Sequence, residues 1–209
     1  MKITVIGTGN MGSAFLKQLS RAGHAVRVTG RDATKAQAVA TQYPGVEAVA
    51  PAQAVRDSEI VILATGYGDA VEALRSVGDL TGTTVIDITN PLTADYMGLT
   101  IGHDTSAAEE IARAVPNADV VKAFNTLFAQ VLADGPAFAS GQRASVFFAG
   151  DSSDAKARVK ALIENLGFQP VDTGSLKNAR YLEPLAGLNI YFGYGAGMGT
   201  SVAPAWISK

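Results

Sequence analysis

Three glycines at the spacing G-x-G-x-x-G, Gly7, Gly9 and Gly12, follow directly on the β-branched run Ile3-Thr4-Val5-Ile6. Residues of these types in this order suit the pyrophosphate of a dinucleotide. Gly7 allows a tight turn, Gly9 leaves room for backbone to approach a phosphate, and Gly12 lets the next helix pack close to the strand. The helix that opens near Asn10 directs its free N–H groups and positive dipole end at the same place. Ala14, Phe15 and Leu19 give that helix an inward face, and Lys17, Gln18 and Arg21 an outward one, the context in which the motif carries meaning. Gly7, Thr8, Gly9, Asn10 and Met11 are therefore the first candidates for cofactor contact.

The second group of candidates lies at the end of the next strand, Ala25 to Thr29. A dinucleotide fold that selects NAD carries an Asp or Glu there for the ribose 2′-hydroxyl. This chain has Thr29-Gly30-Arg31, with Lys35 one turn further on. An acid at that tip would repel a 2′-phosphate, whereas a guanidinium can grip one with two charge-assisted hydrogen bonds. The expected cofactor is NADP, with Thr29, Gly30, Arg31 and Lys35 around its adenosine half.

Further strands follow in alternation with helices. Glu59 to Ala64 is a nearly continuous apolar strand, as strands buried on both faces are, and it ends in the small-residue loop Thr65-Gly66-Tyr67-Gly68. Thr83 to Ile88 ends in Thr89-Asn90-Pro91-Leu92, and Asp119 to Phe124 runs into Asn125-Thr126-Leu127. Strands Ala144 to Ala149 and Phe168 to Asp172 flank a helix from Ser153 to Leu166. This alternation predicts an α/β chain with a doubly wound, mostly parallel Rossmann-type sheet, and right-handed crossovers would place all these strand tips along one edge. Ligands bind at that carboxyl edge. Ala64, Thr65, Gly66, Asn90, Pro91, Ala123 and Asn125 are thus further cofactor candidates. Leu92, Phe124, Thr126, Leu127 and Asn189 are candidates for the walls around a second, planar substrate. Lys122 falls inside its strand rather than at the loop, and His24 and His103 read as turn residues.

From residue 174 the composition changes. Leu176 to Tyr194 reads as a helix apolar on more than one side, and the tail carries glycines at 193, 195, 197 and 199 and the single tryptophan, Trp206. The division expected is a nucleotide-binding domain over 1–173 and a helical, glycine-rich segment over 174–209. That segment would form a homodimer through Leu182, Leu188, Phe192 and Trp206 and help to close the substrate cleft. The 209 residues hold 17 basic and 19 acidic side chains with no basic run, which argues against nucleic acid or an anionic membrane as partner. With no cysteine and two histidines there is no thiolate nucleophile, zinc–thiolate centre or multi-histidine metal site. No leader or spanning run is seen, so a cytoplasmic location is expected.

Taken together, these residues resemble the F420H2:NADP+ oxidoreductase family, whose nucleotide-binding unit also occurs in STEAP-type metalloreductases. The specific blocks are Gly7 to Gly12, Gly30-Arg31, Thr89 to Leu92, Val121 to Thr126, and Gly174-Ser175-Leu176-Lys177-Asn178-Ala179-Arg180 followed by Glu183. Ser175 stands where proline is usual in the last block, and Gly30 where the archaeal enzymes have a serine ligand to the 2′-phosphate. The resemblance implies that a deazaflavin or flavin ring (coenzyme F420, FMN or FAD) stacks over the nicotinamide as redox co-substrate. Hydride transfer between two stacked rings needs no acid–base side chain, only close positioning and exclusion of water. No catalytic residue is therefore assigned. The alternative is a non-catalytic NADP(H)-binding redox sensor.

Overall fold

The computed structural model of the chain describes residues 1–207. Among these residues eight strands form one sheet: β1 (Lys2–Ile6), β2 (Ala25–Thr29), β3 (Val46–Ala48), β4 (Ile60–Leu63), β5 (Thr84–Asp87), β6 (Asp119–Ala123), β7 (Ser145–Gly150) and β8 (Gln169–Asp172). Their order is β3-β2-β1-β4-β5-β6-β7-β8. The chain leaves β1 toward one side for β2 and β3, then returns to place β4 on the other flank of β1. That reversal opens a crevice at the carboxyl ends of β1 and β4, where a doubly wound sheet receives its ligand.

Among the described residues seven α-helices cover the two faces: α1 (Asn10–Arg21), α2 (Ala33–Ala40), α3 (Ala70–Ser76), α4 (Ala107–Ala114), α5 (Ala129–Asp134), α6 (Ser153–Asn165) and α7 (Ala179–Ile190). The larger core joins Phe15, Leu16 and Leu19 of α1, Val131 and Leu132 of α5, and Val159, Leu162 and Ile163 of α6 to one face of the sheet. The smaller joins Ala70 and Leu74 of α3, Ala108 and Ile111 of α4, and Leu176 and Ala179 to the other face. Central strands β4 and β5 are buried at every position, which is why β4 reads as an unbroken apolar run.

Two expectations are corrected. Strand β7 pairs with β6 in the antiparallel sense, whereas every other neighbouring pair is parallel. It starts at the edge where β6 ends, so the short helix α5, which the sequence pattern did not announce, suffices to join them. The carboxyl ends of β7 and β8 consequently lie on the opposite edge from the crevice. The second correction concerns the C-terminal helix. A 3₁₀ turn (Leu176–Asn178) leads into α7, and a π-helical turn (Tyr191–Gly195) follows it. Leu182 does not face outward. It is buried against Phe147 and Ala149 within the same chain, and the exposed apolar residues of this region are Tyr181, Leu188, Tyr191, Phe192, Tyr194, Met198, Trp206 and Ile207. Among the described residues no helix is long and apolar enough to cross a membrane.

Candidate functional site

The glycine turn shows why each glycine stands where it does. Gly7 has φ +124° and a Cβ there would collide with the Ala64 carbonyl. A Cβ on Gly12 would collide with the Gly7 carbonyl, whereas one on Gly9 would meet nothing within 4 Å. Two of the three are thus required by the protein's own packing, and the third keeps open space in front of α1. That helix begins at Gly9 with no side-chain cap and no acid in its first turn. Its first N–H groups are left for a ligand, and an anion is the ligand they favour. The turn is held by Gly7 N–H to the Thr29 carbonyl (2.9 Å) and Ala64 N–H to the Ile6 carbonyl (2.8 Å), tying the tips of β1, β2 and β4 together.

A cleft of about 420 Å³ opens at this point, lined by Gly7, Thr8, Gly9, Thr29, Gly30, Arg31, Lys35, Ala64, Thr65 and Gly66, with Asp32, Asp69 and Glu72 among its other walls. Ten of the residues expected around a dinucleotide from their types and spacing are brought together here. Asn10 and Met11 stand beside them in the first turn of α1. Asp32 follows the β2 tip but is committed elsewhere, because its carboxylate caps α2 by accepting from Lys35 N–H at 3.0 Å. Arg31 is engaged too. Its Nη1 and Nη2 donate to the two carboxylate oxygens of Asp69 at 3.3 and 3.2 Å, across the cleft.

The other half of the edge, at β5 and β6, is closed by side-chain amides. Asn90 Nδ2 donates to the Asn125 carbonyl (2.9 Å). Asn125 Nδ2 donates to Asn90 Oδ1 (2.9 Å) and to the Leu182 carbonyl (3.0 Å), and Asn189 Nδ2 donates to the Thr126 carbonyl (3.0 Å). These bonds dock α7 on the tips of β5 and β6. Pro91 and Ala123 are buried beside them, and Leu92 is half-buried. Asn90, Pro91, Ala123 and Asn125 are thus grouped with one another but do not line the cleft at the β1, β2 and β4 tips. Phe124 and Leu127 turn away from the edge. The Phe124 ring lies in the core, edge-on to Phe15 (centroids 5.1 Å apart) and Phe168 (6.3 Å), and Leu127 belongs to the same core.

Among the described residues, four buried side-chain polar atoms have no hydrogen-bond partner: Thr29 Oγ1, Thr89 Oγ1, Asn125 Oδ1 and Thr126 Oγ1. All four sit at the carboxyl ends of β2, β5 and β6. Buried polar groups are ordinarily paired, so these four oxygens along the edge are open to a polar ligand or to water. A dinucleotide extended from the β2 tip to the β6 tip fits that set of atoms.

Sequence reasoning missed a buried ion cluster immediately behind this edge. Lys122 is fully buried, and its Nζ reaches Asp87 Oδ2 at 2.7 Å, the Thr89 carbonyl at 2.6 Å and Glu183 Oε1 at 2.9 Å. Asp87 also accepts from Thr89 N–H (2.8 Å), and Glu183 from the N–H groups of Ala107 (3.0 Å) and Ala108 (3.2 Å) at the start of α4. Two carboxylates face one ammonium, and the positive end of α4 offsets part of the remaining charge. The cluster fixes the Thr89 carbonyl beside Asn90 and bolts α7 to the sheet. A signal for it existed in the sequence: Asp87 is the one charge in β5 and Lys122 the one charge in the buried stretch Val120–Ala123 of β6, and they are direct partners in the β5–β6 register.

Around this core the titratable groups serve as ties. Burial, and then the hydrogen bond it donates to Glu110, push the Tyr67 hydroxyl up to about 12. Tyr67 therefore stays protonated and joins the β4 loop to α4. Hydrogen bonds from Arg180 hold the Glu109 carboxyl below its usual range. His24 bridges the N-terminus (3.4 Å) and Asn165 (2.9 Å) just before the start of β2, and His103 is exposed in the loop after β5.

Residues 2–91 match the model of a family described as NADP oxidoreductase, coenzyme F420-dependent. The F420-dependent NADP reductase of Methanothermobacter marburgensis is 31% identical over 209 residues, covering 91% of each chain. A crystal structure of a candidate F420-dependent NADP reductase from Arthrobacter sp. FB24 superposes with a TM-score of 0.90 at 32% identity, over 100% of both chains. The metalloreductase STEAP3 of Rattus norvegicus is 30% identical over 186 residues, which span 88% of this chain and 36% of that protein. The chain thus corresponds to about a third of the metalloreductase.

Proposed function

The chain belongs to the family of coenzyme F420-dependent NADP oxidoreductases, and on that premise we propose that it transfers a hydride between NADP(H) and a deazaflavin or flavin ring. The observation that carries this reading is the run of unpartnered buried polar atoms from Thr29 to Thr126 along a single sheet edge. NADPH, when bound, would donate the hydride from its nicotinamide ring, and NADP+ would accept it in the reverse direction. The protein's part is to hold and orient. Gly9 and the first turn of α1 take the pyrophosphate, and Arg31 and Lys35 take the 2′-phosphate. Asn125 and Thr126 offer their free oxygens to the polar edge of the nicotinamide or of the ring beside it. Leu92 and Asn189 flank that end, and α7 keeps water from it. No side chain in this set needs to move a proton for a hydride to pass between two stacked rings.

The second element of the proposal is a homodimer formed through the exposed apolar surface of α7 and the tail. Leu188, Phe192 and Trp206 are 50%, 41% and 74% exposed, and large apolar side chains left exposed in this way favour an interface.

The test of the hydride reading is single-turnover oxidation of NADPH with coenzyme F420, FMN and FAD in turn, for the wild type and Asn125→Ala. The expected result is rapid oxidation by at least one ring, slowed at least tenfold in Asn125→Ala with little change in affinity for 2′,5′-ADP. If no ring accepts the hydride from the wild type, the redox-sensor alternative replaces this reading.

A further inference from the structure

The adenosine-side cleft holds more negative charge than a site for a 2′-phosphate would suggest. Its walls carry Arg31 and Lys35 but also Asp32, Asp69 and Glu72. Lys35 Nζ lies 4.0 Å from Asp32, and Arg31 presents its two terminal nitrogens to Asp69. Asp69 comes from the far wall, at the start of α3, so the Arg31–Asp69 pair spans the cleft from the β2 tip to the β4 loop. Asp69 occupies the planar fork that a phosphate would use, since carboxylate and phosphate compete for the same bidentate geometry.

We infer that Asp69 is a specificity-determining residue: it holds Arg31 as a counter-ion until the 2′-phosphate of NADP takes its place. The inference rests on the family's NADP dependence and on Arg31 as the phosphate ligand, and it adds a residue to which no role in cofactor choice has been given above. Binding of NADPH exchanges one anion for another on the Arg31 guanidinium, so part of the phosphate's attraction is spent on releasing Asp69. NADH, with a 2′-hydroxyl, leaves the pair intact. Asp69 thus lowers the preference for NADPH below what Arg31 alone would give. The pair is exposed, with Arg31 at 82%, so its effect is modest and screened by salt.

The experiment is a double-mutant cycle on the full chain, measuring NADPH and NADH affinity by titration for wild type, Asp69→Asn, Arg31→Ala and the double variant at low and high salt. Asp69→Asn is expected to tighten NADPH about three- to fivefold at low salt, the scale of an exposed ion pair. The gain shrinks at high salt, and NADH stays within about twofold. In the Arg31→Ala background the same change is expected to have no effect on NADPH, because an interaction that runs through Arg31 disappears with it. Weaker NADPH binding by Asp69→Asn would mean that Asp69 positions Arg31 instead of competing for it, and would overturn the inference. A gain that persists without Arg31, or equal gains for both nucleotides, would also overturn it. Should Arg31→Ala leave NADPH affinity unchanged, the assignment of Arg31 to the phosphate fails, and the role of Asp69 falls with it. If Arg31→Ala weakens NADPH while Asp69→Asn does nothing, only the role of Asp69 is lost.

Discussion

Replacing Lys122 with methionine tests the buried cluster behind the cofactor edge. Methionine fills a similar length of apolar stem but takes away the ammonium and its three N–H donors. Asp87 and Glu183 are then left facing each other at full burial, each retaining only backbone donors: Thr89 N–H for the first, Ala107 and Ala108 N–H for the second. Removing one partner of a buried pair leaves an uncompensated charge and typically costs about 3–5 kcal/mol. For a chain of this length each kcal/mol moves the melting temperature by about 2–4 °C, so the expected drop is on the order of 6–20 °C. Urea and thermal unfolding followed by circular dichroism, for wild type and variant at neutral pH, give both numbers. The triple variant Lys122→Met, Asp87→Asn, Glu183→Gln removes all three charges while keeping acceptor oxygens for the backbone donors. It should recover more than half of the loss, because what destabilises the single variant is charge without a partner. A loss below about 1 kcal/mol for Lys122→Met, or a triple variant less stable than the single one, would refute the reasoning.

The glycine turn gives a paired prediction. Gly12→Ala forces a Cβ against the Gly7 carbonyl and should destabilise the fold by about 1–3 kcal/mol, the usual scale of overpacking. Gly9→Ala meets no protein atom and should leave the melting temperature within a degree or two while weakening NADPH binding; calorimetry and titration check the two together. The Glu109–Arg180 contact predicts a pH dependence. The Glu109 carboxyl is held below its ordinary 4.5, chiefly by hydrogen bonds from Arg180, so its contribution is fully present above about pH 4.5 and is lost as pH falls through the lowered folded value. The gap in urea midpoint between wild type and Arg180→Ala should accordingly be constant near neutrality and close as pH drops below 4.5. For the tail, light scattering at micromolar concentration should show a dimer, and Phe192→Glu, which puts a charge on the exposed apolar surface, should shift it toward monomer.

What could be read from the sequence was whatever depended on local pattern. The glycine spacing, the missing acid at the β2 tip and the apolar run of β4 lead to the crevice because each reports its own backbone geometry and burial. The antiparallel turn at β7 was hidden because a fully buried strand has the same apolar pattern in either direction. Helix α5 has only six residues, too short for periodicity to declare itself. Phe124 sits next to the loop residue Asn125, but its φ of +60° swings the ring into the core, a local conformation that residue type does not announce. Leu182 looked available for an interface because nothing in its neighbourhood reveals that β7 lies beneath it. The Asp87–Lys122–Glu183 cluster and the Arg31–Asp69 pair join residues 35 or more positions apart. The first was half legible, as Asp87 and Lys122 set among the buried residues of adjacent strands, while Glu183 and Asp69 required the fold.

The central claim is direct hydride passage between NADPH and a ring held against the β5 and β6 tips. The measurement that tests it most directly uses NADPH deuterated at nicotinamide C4, oxidised by the wild-type protein with coenzyme F420 under anaerobic conditions. The account predicts deuterium on the carbon of the reduced deazaflavin, together with a primary isotope effect on the single-turnover rate. Reduced deazaflavin carrying only solvent hydrogen, or NADPH left unoxidised by coenzyme F420, FMN and FAD alike, would contradict it.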